Sequence, residues 1–218
     1  MSWRGGVVSA AIVAGICAAI PLASAATALP SPDDLVPNTV ARIAEVPSRR
    51  GMITKREFRH QIAIAAAAAA GKGLERIPRP GSGDYPKLGR EALQFMLEGI
   101  WVYGEAAEMG IHVTPNQISR ALSRIKKESF KGEAEYRHFL RESHYTGRDV
   151  RERVEVQLLS VRLQRRIVGR IEGEARNPAE EQRKLREFVE EFSEKWRSRT
   201  VCASAVATDR CSNGPAPA

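Results

Sequence analysis

The sequence predicts an all-α domain of about six helices, preceded by a possible short strand and closed by a C-terminal helix. Two observations predict this fold class. Between Ile53 and Ile171, several segments carry apolar residues at three- and four-residue spacing, the period of a helix that buries one face. Four helix starts also carry a capping signature, in which Thr or Asn is followed three residues later by Glu, Gln or Asp. A chain of 218 residues that is 43% hydrophobic can bury a sizeable core, so disorder is not expected over most of it.

The first 39 residues are predicted to lie outside the folded domain. Arg4 precedes an uncharged apolar run at 7–20, and a small-residue triplet follows at 23–25, which indicates a secretory signal peptide over residues 1–25. An uncleaved membrane anchor is the alternative, since the run is nearly long enough to span a bilayer. Residues 26–39 are rich in Pro, Ser, Asp and small side chains and are interpreted as a linker. We therefore expect an extracytoplasmic protein, either released or anchored by its N-terminal segment.

The folded domain is predicted over residues 40–199. Residues 40–46 alternate weakly between apolar and polar side chains and are interpreted as a possible short strand. The first helix begins at the capping pair of Thr54 and Glu57 and continues through an alanine run to Gly71. The run either allows a second helix to pack closely or forms a surface helix, and the sequence leaves both open.

Three further helix boundaries are marked by local signals. A loop is predicted at 71–83, after which the second helix begins near Asp84 and ends at Gly110, a glycine typical of a helix C-terminus. The third helix begins at Thr114, which is followed by Pro and, three residues on, by Gln. A shorter fourth helix is predicted at 133–142.

The fifth helix is predicted to be long. Thr146 and Asp149 form its capping pair, and the helical pattern continues to about Glu174. Its apolar residues share one face, which we predict to be buried. These residues are Val150, Val154, Leu158, Val161, Ile167 and Ile171.

The last helix begins at Asn177, and its apolar residues form the richest aromatic stripe of the chain, which we predict to be a core seam. Residues 200–218 are predicted to be a loop tail. In an oxidising compartment Cys202 and Cys211 close a disulfide in this tail, which contributes about 2 to 3 kcal/mol to stability. A metal site on this pair is not expected, because no His or third Cys lies near. The aromatic stripe of the last helix comprises Leu185, Phe188, Val189, Phe192 and Trp196.

The formal net charge is +8, which would suggest a nucleic-acid partner for a cytosolic protein. Predicted export argues against such a partner. Four arginines fall on neighbouring turns of the fifth helix, and glutamates flank them in sequence, so the interpretation is a solvated face. Attraction to anionic lipid headgroups, cell-wall polymers or acidic unfolded chains stays open, and with it association with a membrane surface. The arginines are Arg162, Arg165, Arg166 and Arg170, and the glutamates are Glu152, Glu155, Glu172 and Glu174.

The sequence carries no nucleophile elbow, P-loop or dinucleotide fingerprint. The histidines are His60, His112, His138 and His144, and the spacing of His138, Glu142 and His144 does not reproduce a metalloprotease helix. They are interpreted as solvated surface residues. We therefore predict a binding protein rather than an enzyme, with no catalytic residue, no metal and no cofactor.

The order of four segments resembles the SurA N-terminal domain, the module shared by SurA and PrsA-type foldases. The segments read ITKREF, EAAEMGIHVTP, EAEYRHFL and YTGRDVRERVEVQLL, and the resemblance covers roughly residues 40–168. The positions that carry it are Ile53, Thr54, Phe58, Glu105, Ala106, Met109, Gly110, Ile111, Val113, Thr114, Phe139, Leu140, Val150 and Leu158.

The resemblance implies an ATP-independent bacterial chaperone domain that binds unfolded or nascent exported proteins. Members of that family usually insert a parvulin-type prolyl isomerase before a returning last helix. Here only two residues separate Glu174 from Asn177, and the sequence contains no parvulin signature. We therefore expect a foldase scaffold without its isomerase. Prolyl isomerase activity, or an envelope adaptor with one dedicated partner, are the alternatives.

Client binding is assigned to Met and aromatic side chains, which suit promiscuous surfaces because they repack or offer flat contact area. The predicted client-binding residues are Phe95, Met96, Trp101, Tyr103, Tyr136 and Phe139.

Overall fold

The computed structural model describes residues 35–70, 81–83 and 85–216, and six α-helices form most of this part of the chain. The all-α prediction is confirmed, with a small sheet added. Three of the sequence predictions lie wholly or largely outside the described residues. These are the signal peptide or anchor at 1–25, the linker as far as residue 34, and residues 71–80 of the loop together with the cap at Asp84.

Each predicted helix is present. The helices are α1 (Lys55–Ala70), α2 (Tyr85–Glu108), α3 (Pro115–Ser129), α4 (Glu133–Glu142), α5 (Gly147–Glu174) and α6 (Pro178–Ser198). The strands are β1 (Thr39–Ile43), β2 (Met52–Thr54) and β3 (Thr200–Cys202), with short 3-10 turns at Ser48–Gly51 and Ser204–Val206.

The predicted capping signatures form hydrogen bonds in the structure. The Thr114 hydroxyl accepts from the backbone N–H of Gln117 at 3.3 Å, and the Gln117 side chain accepts from the N–H of Thr114 at 3.0 Å. These bonds satisfy N–H groups that have no partner within the first helical turn. The pairs Thr54–Glu57 and Thr146–Asp149 are reciprocal in the same way, and Asn177 accepts from the N–H of Glu180.

The sheet joins the two ends of the described chain. Its order is β2-β1-β3, and both pairings are antiparallel, with Ala41 opposite Ile53 on one side and Cys202 on the other. The prediction of a loop from Thr200 onward is therefore wrong for β3. Thr200 and Val201 are only 0% and 3% exposed, because the strand pairs with β1 and covers the core.

The alanine run of α1 packs closely against α2. Ala66 is fully buried, and a Cβ added to Gly89 of α2 would lie 3.5 Å from the Phe58 ring. Small side chains on both helices allow this approach. The alternative of a surface helix is excluded for this face.

α6 closes the core through Trp196, which is completely buried. Its indole Nε1 donates to Glu105 at 2.7 Å, and its backbone carbonyl accepts from the hydroxyl of Thr200 at 2.7 Å. The predicted core seam of α6 is confirmed for this residue, and Phe192 is partly buried against the same core. Leu185 and Phe188 are partly buried against a second cluster that α2 forms with α5. Val189 is the exception, since it is 58% exposed.

The buried face of α5 differs from the predicted one. Val154, Ile167 and Ile171 are buried as predicted, but Val161 is 38% exposed and its place in the core is taken by Leu159 and Leu163. The N-terminal half of α5 packs in a cluster with α3, whereas the C-terminal half packs against α2 and α6. The buried face rotates around the helix because its partners change.

A disulfide joins Cys202 of β3 to Cys211, and both side chains are fully buried. The bond holds the segment around Cys211 against β3, where Asn213 also accepts a hydrogen bond from the N–H of Cys202 at 3.0 Å. Within residues 35–70, 81–83 and 85–216, no helix has the length and hydropathy needed to cross a membrane.

Candidate functional site

An aromatic strip runs over α2, α4 and the start of α5. The ring of Phe139 lies 5.4 Å from that of Phe130 and 5.9 Å from that of Tyr145. The guanidinium of Arg153 lies 5.7 Å from the Tyr145 ring and 4.7 Å from the Phe95 ring. We define the aromatic strip as Phe95, Arg153, Tyr145, Phe139, Phe130 and Tyr136.

Two turns bring these side chains together. After α3 ends, Phe130 adopts an extended backbone and Gly132 precedes α4. After α4 ends, His144 adopts the left-handed conformation, with φ of 57°, and the chain reverses into the capping threonine of α5. The Ser143 hydroxyl donates to the Phe139 carbonyl at 2.6 Å and stabilises this second turn. Phe130 and Tyr145 therefore lie on either side of α4.

The strip has a buried base and an exposed top. Tyr136 is only 6% exposed, and the ammonium of Lys126 lies 4.1 Å from its ring centroid. Phe139 is 37% exposed and Phe95 is 44% exposed. Single exposed apolar residues are ordinary, but two exposed phenylalanines joined by an arginine and a tyrosine form a continuous surface. Such a surface offers flat contact area to an apolar segment of another chain.

Arg153 joins Phe95 to the rest of the strip. It lies on α5, stacks on Phe95 from α2, and donates a hydrogen bond to the hydroxyl of Tyr145. Guanidinium groups stack on aromatic faces and remain solvated at their edges. The side chain therefore holds Phe95 and Tyr145 in one surface without burying them.

A second feature is the Tyr103 cleft, a depression of about 220 Å³ between the C-terminal half of α2, the α2–α3 loop, α5 and the turn before β2. Most of its lining is apolar, and its polar side chains are those of Arg50, Tyr103 and His112. The lining residues are Pro47, Arg50, Tyr103, Ala106, Ala107, Ile111, His112, Val113 and Leu159.

The hydroxyl of Tyr103 is enclosed and forms no hydrogen bond with the described residues. Burial raises the pKa of Tyr103 well above its ordinary value; Arg50 acts in the opposite direction, and the charge of Glu155 adds to the increase. Arg50 lies 3.8 Å above the Tyr103 ring and forms an ion pair with Glu155 at 3.1 Å. The phenol is therefore neutral at physiological pH.

The six predicted client-binding residues fall in different environments. Phe95 and Phe139 lie on the exposed part of the aromatic strip, and Tyr103 lies in the cleft. Tyr136 forms the buried base of the strip. Trp101 is 1% exposed and donates to the Thr200 hydroxyl at 3.0 Å, so it is a core residue in this structure. Met96 is half-buried and packs against the same core.

The groups that connect the strip were not among the residues predicted to bind clients. Tyr145 and Phe130 could have been selected from the sequence, because they are aromatic residues at the ends of helices, where turns place side chains at the surface. Arg153 carries no local signal, because its contact with Phe95 depends on how α5 crosses α2. The same holds for Arg50 in the Tyr103 cleft.

The histidines are mostly at the surface, as expected. His138 lies 4.0 Å from Glu142, and both side chains are largely solvated. His60 differs, because its Nε2 lies 2.9 Å from the carboxylate of Asp149, the capping residue of α5. Burial alone would raise the pKa of Asp149, but the hydrogen bonds from Thr146 and His60 outweigh it and lower the pKa. Among the described residues, no three His, Cys, Asp or Glu side chains are grouped as metal ligands.

No family model matches this chain, and the chain has no significant match to a curated protein or to a solved structure.

Proposed function

We propose that this protein is an ATP-independent chaperone that binds unfolded polypeptide segments on the aromatic strip. The observation that carries the proposal is the continuous surface from Phe95 to Phe139, with side chains 44% and 37% exposed. Unfolded chains expose apolar side chains that a folded protein buries, and an aromatic surface binds them with little loss of side-chain entropy. The ordered segments that resemble SurA N-terminal domains support the same function.

The Tyr103 cleft supports binding of an extended peptide. Its apolar walls suit one aliphatic or aromatic side chain of a client. The cleft therefore adds a pocket for one side chain to the non-specific contacts of the strip.

Export is part of the proposal. The disulfide of Cys202 and Cys211 supports it, since disulfides persist in oxidising compartments. The N-terminal apolar run predicted as a signal peptide or anchor supports it as well. The clients we propose are therefore unfolded or nascent exported proteins.

The test is suppression of aggregation. A denatured protein that aggregates on dilution is refolded with and without a several-fold molar excess of the full chain, without ATP, and light scattering is followed. We expect scattering to fall as the chain is added. Unchanged scattering at the highest excess would contradict the proposal.

Two further assays separate the alternatives. A protease-coupled assay on a proline peptide should show only the uncatalysed rate of cis-trans isomerisation, which takes roughly tens to hundreds of seconds. Acceleration would favour a prolyl isomerase. Crosslinking in envelope extracts should give many clients, whereas a single stoichiometric partner would favour an adaptor.

A further inference from the structure

The C-terminal half of α5 carries an arginine patch, which we define as Arg162, Arg165, Arg166 and Arg170. These residues surround an open depression of about 480 Å³ whose remaining lining residue is Gly169. Arg162, Arg166 and Arg170 follow one another at four-residue spacing, and Arg165 follows Arg162 by three, so the four residues lie on one side of the helix. Residues 156–171 contain no Asp or Glu, so no acidic side chain is interleaved with them.

Three of the four flanking glutamates pair with basic residues outside the patch, and Glu172 forms no ion pair with the described residues. Glu152 pairs with Arg148 at 2.8 Å, Glu155 pairs with Arg50 at 3.1 Å, and Glu174 pairs with Lys184 at 3.3 Å. In the described part of the chain, no carboxylate lies within ion-pair distance of the four arginines. Arg165, Arg166 and Arg170 are exposed, in agreement with the predicted solvated face, and this face carries a concentrated positive charge.

The depression is accessible down to the helix backbone. A Cβ added to Gly169 would meet no atom within 4 Å, so a ligand can approach there between the guanidinium groups. Arginine donates several N–H groups in a planar fork, which matches the oxygens of a phosphate. Arg162 also donates to the backbone carbonyl of His112, which fixes one end of the patch against the α2–α3 loop.

We propose that the arginine patch docks on a membrane surface by binding the phosphates of anionic lipid headgroups. Val161, on the turn before Arg165, is 38% exposed and suits the apolar edge of the headgroup layer. The depression is lined by arginines and one glycine, without an aromatic side chain on which a base of single-stranded nucleic acid would stack. The observations thus favour a lipid surface, and this inference is independent of client binding.

The test compares binding of the full chain to vesicles of phosphatidylcholine alone and of phosphatidylcholine with phosphatidylglycerol in equal parts. The ratio of the two partition coefficients isolates the charge-dependent contribution, because the N-terminal apolar run is the same in all variants. Each basic residue near an anionic surface contributes about a fivefold factor. We expect the triple variant R165Q/R166Q/R170Q to lower the ratio by on the order of 100-fold. Arg162 is retained because of its bond to the loop.

A single substitution gives a second test that preserves the fold. Gly169→Glu places a carboxylate in the depression without a steric conflict, and we expect it to lower the ratio by about fivefold. Gly147→Glu is the matched control, since it is also unobstructed but lies at the other end of α5. Its ratio should equal that of the unmodified chain.

Three results would overturn the proposal. The first is equal binding of the unmodified chain to both vesicles. The second is a triple variant, folded by circular dichroism, that retains the full ratio. The third is binding to a short oligonucleotide that exceeds vesicle binding and is lost in the triple variant, which would reassign the patch to nucleic acid.

Discussion

Gly104 of α2 lies directly under the indole ring of Trp196 of α6, so that a Cβ at this position would overlap the ring. We expect Gly104→Ala to lower the free energy of unfolding by about 1–3 kcal/mol, because the core at this point has no room to adjust. Urea denaturation measures the change. Gly99→Ala in the same helix is the control, since its Cβ would lie 3.9 Å from the nearest side-chain atom. The free energy of unfolding of Gly99→Ala should rise by about 0.5–1 kcal/mol, because alanine favours a helix more than glycine does. Equal losses in both variants would contradict the close packing of Gly104 against Trp196.

Glu105 and Glu108 both pair with Lys195, but only Glu105 is buried, at 6% exposure. Glu105→Ala leaves the Trp196 N–H without its acceptor, and we expect a loss of about 1–3 kcal/mol. Glu108→Ala should cost under about 1 kcal/mol, because its side chain is 37% exposed and water can hydrate the basic groups that lose their partner. Chemical denaturation of the two variants side by side measures the loss in free energy of unfolding for each. A larger loss for Glu108 would show that the surface ion pairs, rather than the buried indole bond, hold α6.

Because Cys202 and Cys211 form a disulfide, we expect the stability of the folded chain to depend on redox conditions. Reduction of the folded chain should lower the free energy of unfolding by about 2 to 3 kcal/mol. The effect follows because Cys202 belongs to β3 and the bond restrains the segment that leads to Cys211. In C202A/C211A, a reductant should change nothing. A reductant effect of the same size in this variant would assign the change to another cause.

Acid stability should depend on Asp149. Its pKa is lowered in the folded protein, so the ionised carboxylate stabilises the fold above its unfolded pKa of about 4. This contribution is lost as the pH falls below about 4 and passes through the lower folded pKa. Asp149→Ala, which also removes the capping box of α5, should cost about 1 kcal/mol at pH 7. The difference between the two proteins should narrow below about pH 4, and a difference independent of pH would contradict this role.

The helices could be predicted because their signals are local. Each of the capping pairs lies within four residues, and all four form the expected hydrogen bonds. β3 could not be predicted, because its partner β1 lies at the other end of the chain and three residues carry almost no period of their own. Similarly, Val161 was assigned to the core by spacing alone, whereas α5 changes partners along its length and buries Leu159 and Leu163 instead.

The candidate site was partly accessible from sequence. Phe95 and Phe139 were selected by residue type, and they lie on one exposed surface. The same criterion selected Trp101, which is buried, because residue type does not determine which side of a helix faces the core. Arg153 and Tyr145 join the surface through contacts between helices, so they require the tertiary structure.

The most direct measurement is aggregation suppression by Phe95→Ser/Phe139→Ser against a matched control. Met52→Ser/Val189→Ser replaces two other apolar residues, 41% and 58% exposed, that do not belong to the aromatic strip. If the strip binds clients, light scattering in the presence of the strip variant should rise to that of the client alone, whereas the control should suppress aggregation like the unmodified chain. A folded strip variant that suppresses aggregation as well as the control would contradict the proposed function of this surface.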